Sequence, residues 1–534
     1  MINRMVLFSK LSLDLFGVSL TREEVEFRLA VAWSDMKRPF DDPSPEAIHE
    51  FSCLRQLDAV FSKEVPLDST DLVNQSIESL RSREEEMAHL NESRPWRGQP
   101  WFPAAVHRVH SLLPPLEWVW DDVFDSCRFG SGATHSGKGP VGRHLLSKIG
   151  GTQTVTPAAV RLVGEVCRDL FPHFYSQLER LPTRRVPGNR VAFVPKDKRK
   201  VRQIAIEPSL NMFLQQGIGR FMFSLLRKHG IDLRDQTKNQ RLARQGSIDG
   251  SLATIDLTDA SSRICLGLVE DLLPPDWFEL LCLCRSPRGL LPSGEHLTYH
   301  SFSTQGNAYT FPLETLIFEA ILWSSDSLKG IYGDDIIVKS EDFYECISRL
   351  TCCGFLVNTE KSYASGRFRE SCGGDYVLGL ACRPVYYRES AKVDSDLCTL
   401  HNLLIERWGS HRLLRTLAYI RSCAKECLRG PRTLVSGDIT AHGGRVHWRN
   451  YEFHPYTWWF WKERWEPVDT KVKNFESYAL LRRYKFVPNR LRVRSTNFSR
   501  YLTFLYGGSR SIVSSSLGRY KVVNVHIPKS SIRC

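Results

Sequence analysis

Asp334 and Asp335 are adjacent carboxylates that follow Gly333 between two apolar, partly β-branched runs, Gly330–Tyr332 and Ile336–Val338. This order predicts a β-hairpin with both carboxylates at its bend. Neighbouring carboxylates repel each other, so a turn that displays both needs a compensating cation. Mg²⁺ prefers oxygen ligands, and two such ions can assist phosphoryl transfer. The alternative is a solvated turn without a chemical role.

A third carboxylate, Asp256, follows the apolar run Ala253–Ile255. The run predicts a strand, and the segment Thr258–Ser262 is expected to cap a helix that follows it. A carboxylate at the end of a strand is what the hairpin needs to complete a metal site. Asp259 fits the alternative role of a helix N-cap better than Asp256 does.

The segment Val194–Arg202 is densely basic and precedes the apolar run Ile204–Ile206. Alternation along Lys198, Lys200 and Arg202 predicts that several cations share one face of a strand. Such a face could bind the triphosphate of a nucleotide and neutralise the pyrophosphate that leaves. A solvated strand face is the alternative.

The loop Ser303–Asn307 precedes a segment with helical spacing of apolar residues, Leu313 to Ile321. A small loop at a helix N-terminus can follow a substrate's sugar while the helix dipole faces phosphate. Further along, Lys361 follows the predicted strand Gly354–Val357 and is a candidate proton donor. The charged segment Ser79–Glu92 predicts an exposed helix.

The net charge of +13 is concentrated at one end of the chain. Residues 401–534 hold 25 Lys and Arg against 8 Asp and Glu, whereas residues 1–400 hold 47 against 51. No acidic residue follows Glu476, and Arg490, Arg492 and Arg494 lie in this basic stretch. We therefore predict that these arginines bind nucleic acid. A merely solvated basic tail is the alternative.

The composition argues against several other classes of protein. The 15 cysteines are scattered, odd in number and without zinc-finger spacing, which favours a reducing cytosol and disfavours structural zinc. No apolar run reaches the ~18 residues of a membrane span, and the N-terminus does not have the pattern of a signal peptide. We therefore expect no membrane association.

The order of these elements resembles the palm of right-hand RNA-dependent RNA polymerases, with sequence motifs F, A, B, C, D and E in chain order. Within that group the chain resembles the replicase catalytic, or beta, subunit of levivirus-type single-stranded RNA bacteriophages, the group that includes Qβ. The matching stretches are Cys127–Thr134, Val194–Met212, Gly230–Ser247, Ile255–Ile264, Leu272–Leu291, Ser303–Phe318, Tyr332–Ile337 and Phe368–Tyr387.

The resemblance implies an α+β fold of fingers, palm and thumb, with an antiparallel palm sheet flanked by helices. Residues 1–100 would form an N-terminal helical extension associated with the fingers and thumb. Residues 101–250 would form the fingers, including basic motif F. Residues 251–390 would form the palm with motifs A to E, and residues 391–534 the basic thumb and C-terminal region.

The resemblance also implies roles for individual residues. Asp256, Asp334 and Asp335 would be catalytic metal ligands, and Lys361 would be the general acid for pyrophosphate. The residues expected to bind nucleotide are Lys196, Arg199, Arg202, Asp259, Ser303, Gly306 and Asn307. One position departs from the family pattern, because Ser262 stands where the family tends to carry another Asp, which leaves ribose selection open.

The activity implied is that of an RNA-directed RNA polymerase that replicates a positive-strand phage genome by nucleotidyl transfer with two Mg²⁺ ions, which Mn²⁺ could replace. The implied partners are template and product RNA, NTPs, the host elongation factors Tu and Ts, and a ribosomal RNA-binding protein, in the cytoplasm of a bacterial host. The alternatives are a reverse transcriptase-like polymerase and a catalytically inactive RNA-binding protein on the same scaffold.

Overall fold

The computed structural model describes residues 2–38, 42–64, 68–130, 132–135, 148, 151–197, 199–323, 327–387 and 394–423, together with the backbone of strands 464–468 and 483–487. Its α-helices are α1 (Arg4–Phe16), α2 (Arg22–Lys37), α3 (Pro45–Asp58), α4 (Thr70–Ser93), α5 (Phe102–Leu112), α6 (Leu116–Phe124), α7 (Val160–Leu170), α8 (Pro172–Leu178), α9 (Ser209–Lys228), α10 (Thr237–Asp249), α11 (Leu266–Leu272), α12 (Pro275–Cys284), α13 (Thr310–Trp323), α14 (Phe343–Cys352), α15 (Asp394–Trp408) and α16 (Leu414–Cys423).

The strands are β1 (Gln153–Val155), β2 (Thr183–Arg185), β3 (Asn189–Pro195), β4 (Val201–Ile206), β5 (Leu252–Ile255), β6 (Leu257–Thr258), β7 (Arg288–Leu290), β8 (His296–Thr298), β9 (Leu328–Tyr332), β10 (Asp335–Lys339), β11 (Leu356–Val357), β12 (Phe368–Ser371), β13 (Gly374–Val377), β14 (Leu380–Ala381), β15 (Arg464–Val468) and β16 (Arg483–Val487). The described chain is thus helix-rich with mixed sheets, the coarse outline predicted from the sequence.

An antiparallel three-stranded sheet in the order β5-β10-β9 lies at the centre of the site described below. Strand β10 pairs with β9 through Asp335 and Tyr332, and with β5 through Ile336 and Ile255. The predicted hairpin is therefore confirmed, with Gly333 and Asp334 as its two turn residues. The three consecutive apolar side chains of β10, Ile336 to Val338, are fully buried, so this central strand is covered on both faces.

Three further groups of strands contribute to the surroundings of the site. Strands β6 and β11 pair directly beyond β5, and β12, β13 and β14 form an antiparallel sheet. A four-stranded sheet has the order β4-β3-β7-β8, with β3 and β7 parallel and the other neighbours antiparallel. Strands β12 and β13 are joined by a tight turn in which Cys372 and Gly373 have left-handed φ values.

The largest apolar core is built by helices that pack around the β5-β10-β9 sheet. It combines side chains of α5, α9, α11, α12, α13 and α14 with those of the sheet. Trp277 of α12 is completely buried there, and its indole N–H donates a 2.7 Å hydrogen bond to the carbonyl oxygen of Pro114. A buried donor that finds its partner in this way adds no desolvation penalty to the apolar packing.

The first helices pack against the region near residue 400. Side chains of α1 and α3 share an apolar cluster with α15 and α16. Asp14, at the end of α1, accepts hydrogen bonds of 2.8 Å from both the backbone N–H and the hydroxyl of Thr416. Arg55 of α3 forms a buried ion pair with Asp375 of β13, with Nη2 2.6 Å from Oδ2. The N-terminal segment is therefore an integral part of the fold.

The prediction that Ser79–Glu92 forms an exposed helix is wrong in one respect. The segment is helical, within α4, but Leu80, Arg83, Glu84 and Met87 are buried. The Glu84 carboxylate accepts hydrogen bonds from the backbone N–H groups of two residues after β8 and from a serine hydroxyl there. Its charge is stabilised by these donors, so α4 buries charged side chains against the four-stranded sheet.

The prediction that Lys198, Lys200 and Arg202 alternate along one strand is also wrong. Strand β4 begins only at Val201, and residues 196–200 form the connection between β3 and β4. The side chain of Asp197 accepts hydrogen bonds from the backbone N–H groups of two residues in that connection, which stabilises a turn. Lys200 therefore lies on the connection and Arg202 on β4, with Lys198 itself outside the described residues.

Over the described residues, no helix combines the length and the apolar character that crossing a membrane requires.

Candidate active site

Three carboxylates lie at one end of the β5-β10-β9 sheet. Asp256 directly follows β5, Asp334 occupies the turn between β9 and β10, and Asp335 opens β10. Because Ile255 pairs with Ile336 in antiparallel register, the next residues along the two strands, Asp256 and Asp335, face each other. The site brings together the three carboxylates that the sequence predicted as metal ligands.

The three carboxylates destabilise one another's charged forms. Burial and the neighbouring Asp334 raise the pKa of Asp256, and burial and Asp335 raise the pKa of Asp334. Burial and Asp256 likewise raise the pKa of Asp335. Partly buried carboxylates that repel each other are stabilised when a cation lies between them. This electrostatic arrangement favours a bound positive ion.

The carboxylate of Asp256 is oriented by residues of the segment that follows β11. The side-chain amide of Asn358 donates a 2.8 Å hydrogen bond to Oδ2 of Asp256. The backbone N–H of Asp256 donates to Oγ of Ser362 at 3.1 Å. Lys361, half exposed, places Nζ 4.0 Å from Oδ2 of Asp256. The predicted proton donor therefore lies beside the predicted metal ligand.

Asp335 is oriented by the β12–β13 hairpin and by α10. Its Oδ1 accepts hydrogen bonds from the backbone N–H of Cys372 at 2.9 Å and from the hydroxyl of Ser371 at 3.3 Å. Its backbone carbonyl accepts a 2.9 Å bond from the side-chain amide of Asn239. These contacts leave Oδ2 of Asp335 as the oxygen available to a ligand.

Gly333 fixes the turn against helix α13. Its φ of +61° lies in the left-handed region, and its backbone N–H donates to the hydroxyl of Thr315 at 3.2 Å. A Cβ at this position would lie 2.3 Å from a ring carbon of Phe311. The turn therefore requires glycine both for its backbone conformation and for this close approach.

Helix α13 also brings a carboxyl group that the sequence analysis missed. Glu314 is buried, and within the described part of the chain its Oε2 has no hydrogen-bond partner. Burial and the charge of Asp334 raise the pKa of Glu314 well above its usual value. The signal in the sequence was that the long apolar run that forms α13 contains two acidic residues, Glu314 and Glu319.

The basic hairpin loop between β3 and β4 faces these carboxylates. Lys196 and Arg202 both partly offset the rise in the pKa of Asp334, and Lys196 does the same for Asp256. Desolvation and repulsion from Arg202 and Lys361 lower the pKa of the Lys196 ammonium. Arg199 is exposed on the same loop. Cations thus gather near the carboxylates and repel one another, which favours a polyanionic ligand.

The loop 303–307 packs against strand β4. Gly306 has φ +133°, and a Cβ there would lie 2.0 Å from the carbonyl oxygen of Ala205. Ser303 is buried with its hydroxyl bonded to that of Thr310, so it stiffens the loop. Oδ1 of Asn307 accepts a 3.0 Å bond from the backbone N–H of Tyr309, at the start of α13. The structure places this loop between the basic hairpin and α13.

Asp259 lies beyond the end of β6 in a left-handed conformation, with φ +52°. It precedes a short 3-10 turn but makes no side-chain capping bond, so the N-cap alternative is wrong for its side chain. The following α-helix begins only at Leu266, later than the sequence predicted. The Asp259 carboxylate instead lies 3.7 Å from Nη1 of Arg83 in helix α4.

The carboxylates of Asp256, Asp334 and Asp335 are the candidate donors for a metal ion. Among the residues that the structure describes, no three His, Cys, Asp or Glu side chains approach closely enough to enclose a metal ion. The chemistry of Asp256, Asp334 and Asp335 nevertheless fits a hard divalent cation, because all three are oxygen donors that destabilise one another without one. Arg490, Arg492 and Arg494, predicted to bind RNA, lie outside the described residues.

Comparison with known proteins gives a consistent family match. Residues 97–418 match the family model described as RNA replicase, beta-chain. The chain is 41% identical over 320 residues to the RNA-directed RNA polymerase subunit beta of Escherichia virus Qbeta, covering 59% of this chain and 53% of that protein. It is also 41% identical over 325 residues to the RNA-directed RNA polymerase beta chain of Escherichia phage MS2, covering 58% of each.

These alignments span little more than half the length of the relatives they match. Among solved structures, the chain resembles one described as the segmented genome and RNA polymerase complex inside a dsRNA virus, with TM-score 0.38 and 11% identity over 71% of this chain and 38% of that chain. A likeness this remote adds nothing to the argument.

Proposed function

Because the chain belongs to the RNA replicase beta-chain family, we propose that it is an RNA-directed RNA polymerase that replicates the genome of a positive-strand RNA phage. The observation that supports this activity is the meeting of Asp256, Asp334 and Asp335 at one end of a sheet, near Lys196 of the β3–β4 connection and Arg202 of β4. The reaction would be attack of a 3′-hydroxyl on the α-phosphate of an NTP, with release of pyrophosphate.

The fold proposed for this activity is a right hand. The β5-β10-β9 sheet and its helices would form the palm, and the β3–β4 hairpin would belong to the fingers. The thumb would include residues beyond 391, and the first hundred residues would pack against the fingers and thumb. The packing of α4 against the four-stranded sheet and of α1 against α16 supports that last assignment.

Asp256, Asp334 and the Oδ2 oxygen of Asp335 would hold the two Mg²⁺ ions. When bound, the metal pair would lower the pKa of the attacking hydroxyl and stabilise the pyrophosphate that leaves. Asn358 and Cys372 would hold the carboxylates in place, since each already donates a hydrogen bond to one of them. Positioning and charge neutralisation would then account for most of the protein's contribution.

The remaining cations and the 303–307 loop would handle the nucleotide. Lys196, Arg199 and Arg202 would bind the triphosphate, and Lys361 would donate a proton to the pyrophosphate as it leaves. Asn307 and Gly306 would contact the sugar from the loop beside β4. The position of Lys361 supports this role, because its Nζ lies 4.0 Å from Oδ2 of Asp256, where the reacting phosphates would be held.

The proposed partners are template and product RNA, together with the host elongation factors Tu and Ts and a ribosomal RNA-binding protein, in the cytoplasm of the bacterial host. The basic C-terminal region would bind RNA through residues that include Arg490, Arg492 and Arg494. Loss of three phosphate contacts on a single strand would reduce the slope of log K against log salt by about 2. RNA titrations of the triple Arg→Gln variant at several salt concentrations would measure this.

The activity is tested by incubating the purified chain with an RNA template, Mg²⁺ and labelled NTPs, with and without the host factors. Template-dependent RNA product that disappears with EDTA is expected. Incorporation of dNTPs in preference to NTPs would identify a reverse transcriptase-like enzyme instead. RNA binding without incorporation under every one of these conditions would identify an inactive RNA-binding protein and overturn the proposal.

A further inference from the structure

Helix α4 contributes a buried guanidinium beside the strand end that carries Asp256. Arg83 is only 6% exposed. Its Nη2 donates a 2.7 Å hydrogen bond to Oε1 of Gln203 in β4, and its Nη1 lies 3.7 Å from Oδ2 of Asp259. Arg83 therefore connects the strand next to the basic loop with the segment that follows Asp256.

One N–H group of this guanidinium makes no hydrogen bond among the described residues. In the part of the chain that the structure describes, Nε of Arg83 is buried without a hydrogen-bond partner. A buried donor left unpaired destabilises the folded state, and more so when the group is charged. The five N–H donors of a guanidinium point in fixed directions, so an acceptor of defined position is needed to satisfy Nε.

A small recess adjoins Arg83. It offers about 20 Å³ of room, enough for one group the size of a water molecule and too little for a base or a whole sugar. Its inner wall is apolar, from Leu80, Val191 and Tyr299. Its polar side chains are those of Arg83, Glu84, Gln203, Ser262, Ser301, Thr304 and Gln305, and the Glu84 carboxylate is already hydrogen-bonded to residues 300 and 301. A single hydroxyl group is the ligand fragment that matches this size and lining.

The recess lies between two segments proposed to contact the nucleotide. Ser262 belongs to the segment that begins with the proposed metal ligand Asp256. Gln305 directly precedes Gly306, and its carbonyl oxygen accepts a 2.6 Å hydrogen bond from the backbone N–H of Ala205. A nucleotide whose phosphates lie at the carboxylates and whose sugar meets the 303–307 loop would bring a sugar hydroxyl towards the recess.

We propose that Arg83 determines the preference for ribonucleotides, by donating a hydrogen bond to the 2′-hydroxyl of the incoming nucleoside triphosphate in this recess. The inference rests on the proposed polymerase function. The 2′-oxygen accepts from Arg83, and its proton is donated to the hydroxyl oxygen of Ser262 or Thr304. Asp259 is a positioning residue that holds the guanidinium from its exposed side.

This assignment gives a physical account of Ser262. Because residue 262 lines the recess, an acid there would itself pair with the guanidinium and would occupy the space that the hydroxyl group needs. The hydroxyl of Ser262 provides an acceptor without a charge. A deoxynucleotide would leave the Arg83 donor and the Ser262 acceptor unpaired, and sites built to bind a hydroxyl reject analogues that lack it.

The test measures kcat/KM for ATP and dATP with the holoenzyme and compares wild type with Arg83→Met, which keeps the length of the side chain but removes its donors. The ATP/dATP ratio is expected to fall at least tenfold, mainly through ATP. The matched control is Arg81→Met on the same helix. Arg81 forms its ion pair with Glu295, 2.6 Å away on the surface, so the ratio is expected to stay at the wild-type value.

Asp259→Asn provides a second variant if Arg83→Met does not fold, because the Asp259 side chain is 57% exposed. It is expected to lower the ratio as well, by releasing the guanidinium. An unchanged ratio in the variants that fold, even with reduced activity, would show that Arg83 only supports the fold or binds a water molecule, and would overturn the inference. Absence of any incorporation by the wild-type holoenzyme would instead refute the proposed function.

Discussion

The backbone N–H of Cys372 donates a 2.9 Å hydrogen bond to Oδ1 of Asp335, so the first residue of β10 is oriented by a hairpin 37 positions further along the chain. Asp334 has no comparable side-chain hydrogen bond among the described residues. The two adjacent carboxylates are therefore held differently, although the sequence shows them as a simple pair. Asp335 combines a structural contact with its proposed ligand role, whereas the side chain of Asp334 is free to follow a bound ion.

Asp334→Asn is expected to reduce nucleotide incorporation by about a thousandfold, the scale of losing one preorganised electrostatic contact. Folding and RNA binding should persist, because the amide has the size of the carboxylate and removes a repulsion. Incorporation rates, thermal melting and RNA affinity would be measured together. Asp169→Asn, on the surface of α7, is the control. Near-normal incorporation by Asp334→Asn would contradict the assignment of the site.

Lys361→Met is expected to lower kcat by about a hundredfold while leaving KM for NTPs close to wild type. The reason is that general acid catalysis acts on the transition state and typically contributes 10²–10⁴-fold. Single-turnover rates across a range of pH would measure the effect, with the exposed Lys228→Met as control. A change confined to KM would show instead that Lys361 binds the substrate through its charge.

Gly306→Ala is expected to destabilise the fold and impair activity more than Gly294→Ala does. Both glycines have left-handed φ values, +133° and +90°, but an added Cβ meets Ala205 only at position 306 and open space at position 294. The comparison separates backbone strain, which both variants share, from the collision with Ala205. The collision should lower the free energy of unfolding of Gly306→Ala by about 1–3 kcal/mol more. Urea unfolding of the two variants measures the difference. Equal losses would mean that β4 moves to accommodate the methyl group.

Glu370→Gln is expected to change how stability depends on pH. Burial and the facing Asp375 raise the pKa of Glu370 to about 7. The folded state therefore keeps a proton that the unfolded state releases near pH 4.5. This contribution to the free energy of unfolding is fully present below pH 4.5 and is lost as the pH rises through about 7.

The variant lacks this loss, so its stability relative to wild type should rise by about 1–3 kcal/mol between pH 5 and pH 8. Melting temperatures or urea midpoints over that range provide the measurement, and the exposed Glu360→Gln serves as the control. Stability curves that run parallel for Glu370→Gln and wild type would refute the raised pKa.

The sequence was most informative where structure is local. Short apolar runs predicted the hairpin at Asp334 and the strand before Asp256. The expectation that their carboxylates share one site then predicted that the hairpin and this strand lie close together. Arg83 and Glu84 were misassigned, because charged residues on a helix indicate exposure unless distant partners are known. Those partners lie up to 217 positions away, on strands whose packing against α4 no local pattern reveals.

The cations of the basic segment were placed on a strand because alternation alone cannot show where a strand begins. The turn is set by Asp197, a single acidic residue among cations, whose side chain binds the backbone of the loop. The contact of the β12–β13 hairpin with Asp335 was not predicted, because it depends on how distant segments pack together.

The contact between Asp14 and Thr416 spans 402 positions, so it has a consequence for synthesis. A ribosome that adds about 5–20 residues per second needs about 20–80 s to make the chain that separates them. Throughout that time the apolar faces of α1 and α3 lack their α15 and α16 partners and are open to chaperones or to aggregation. A nascent chain therefore cannot complete this fold until most of its message has been translated.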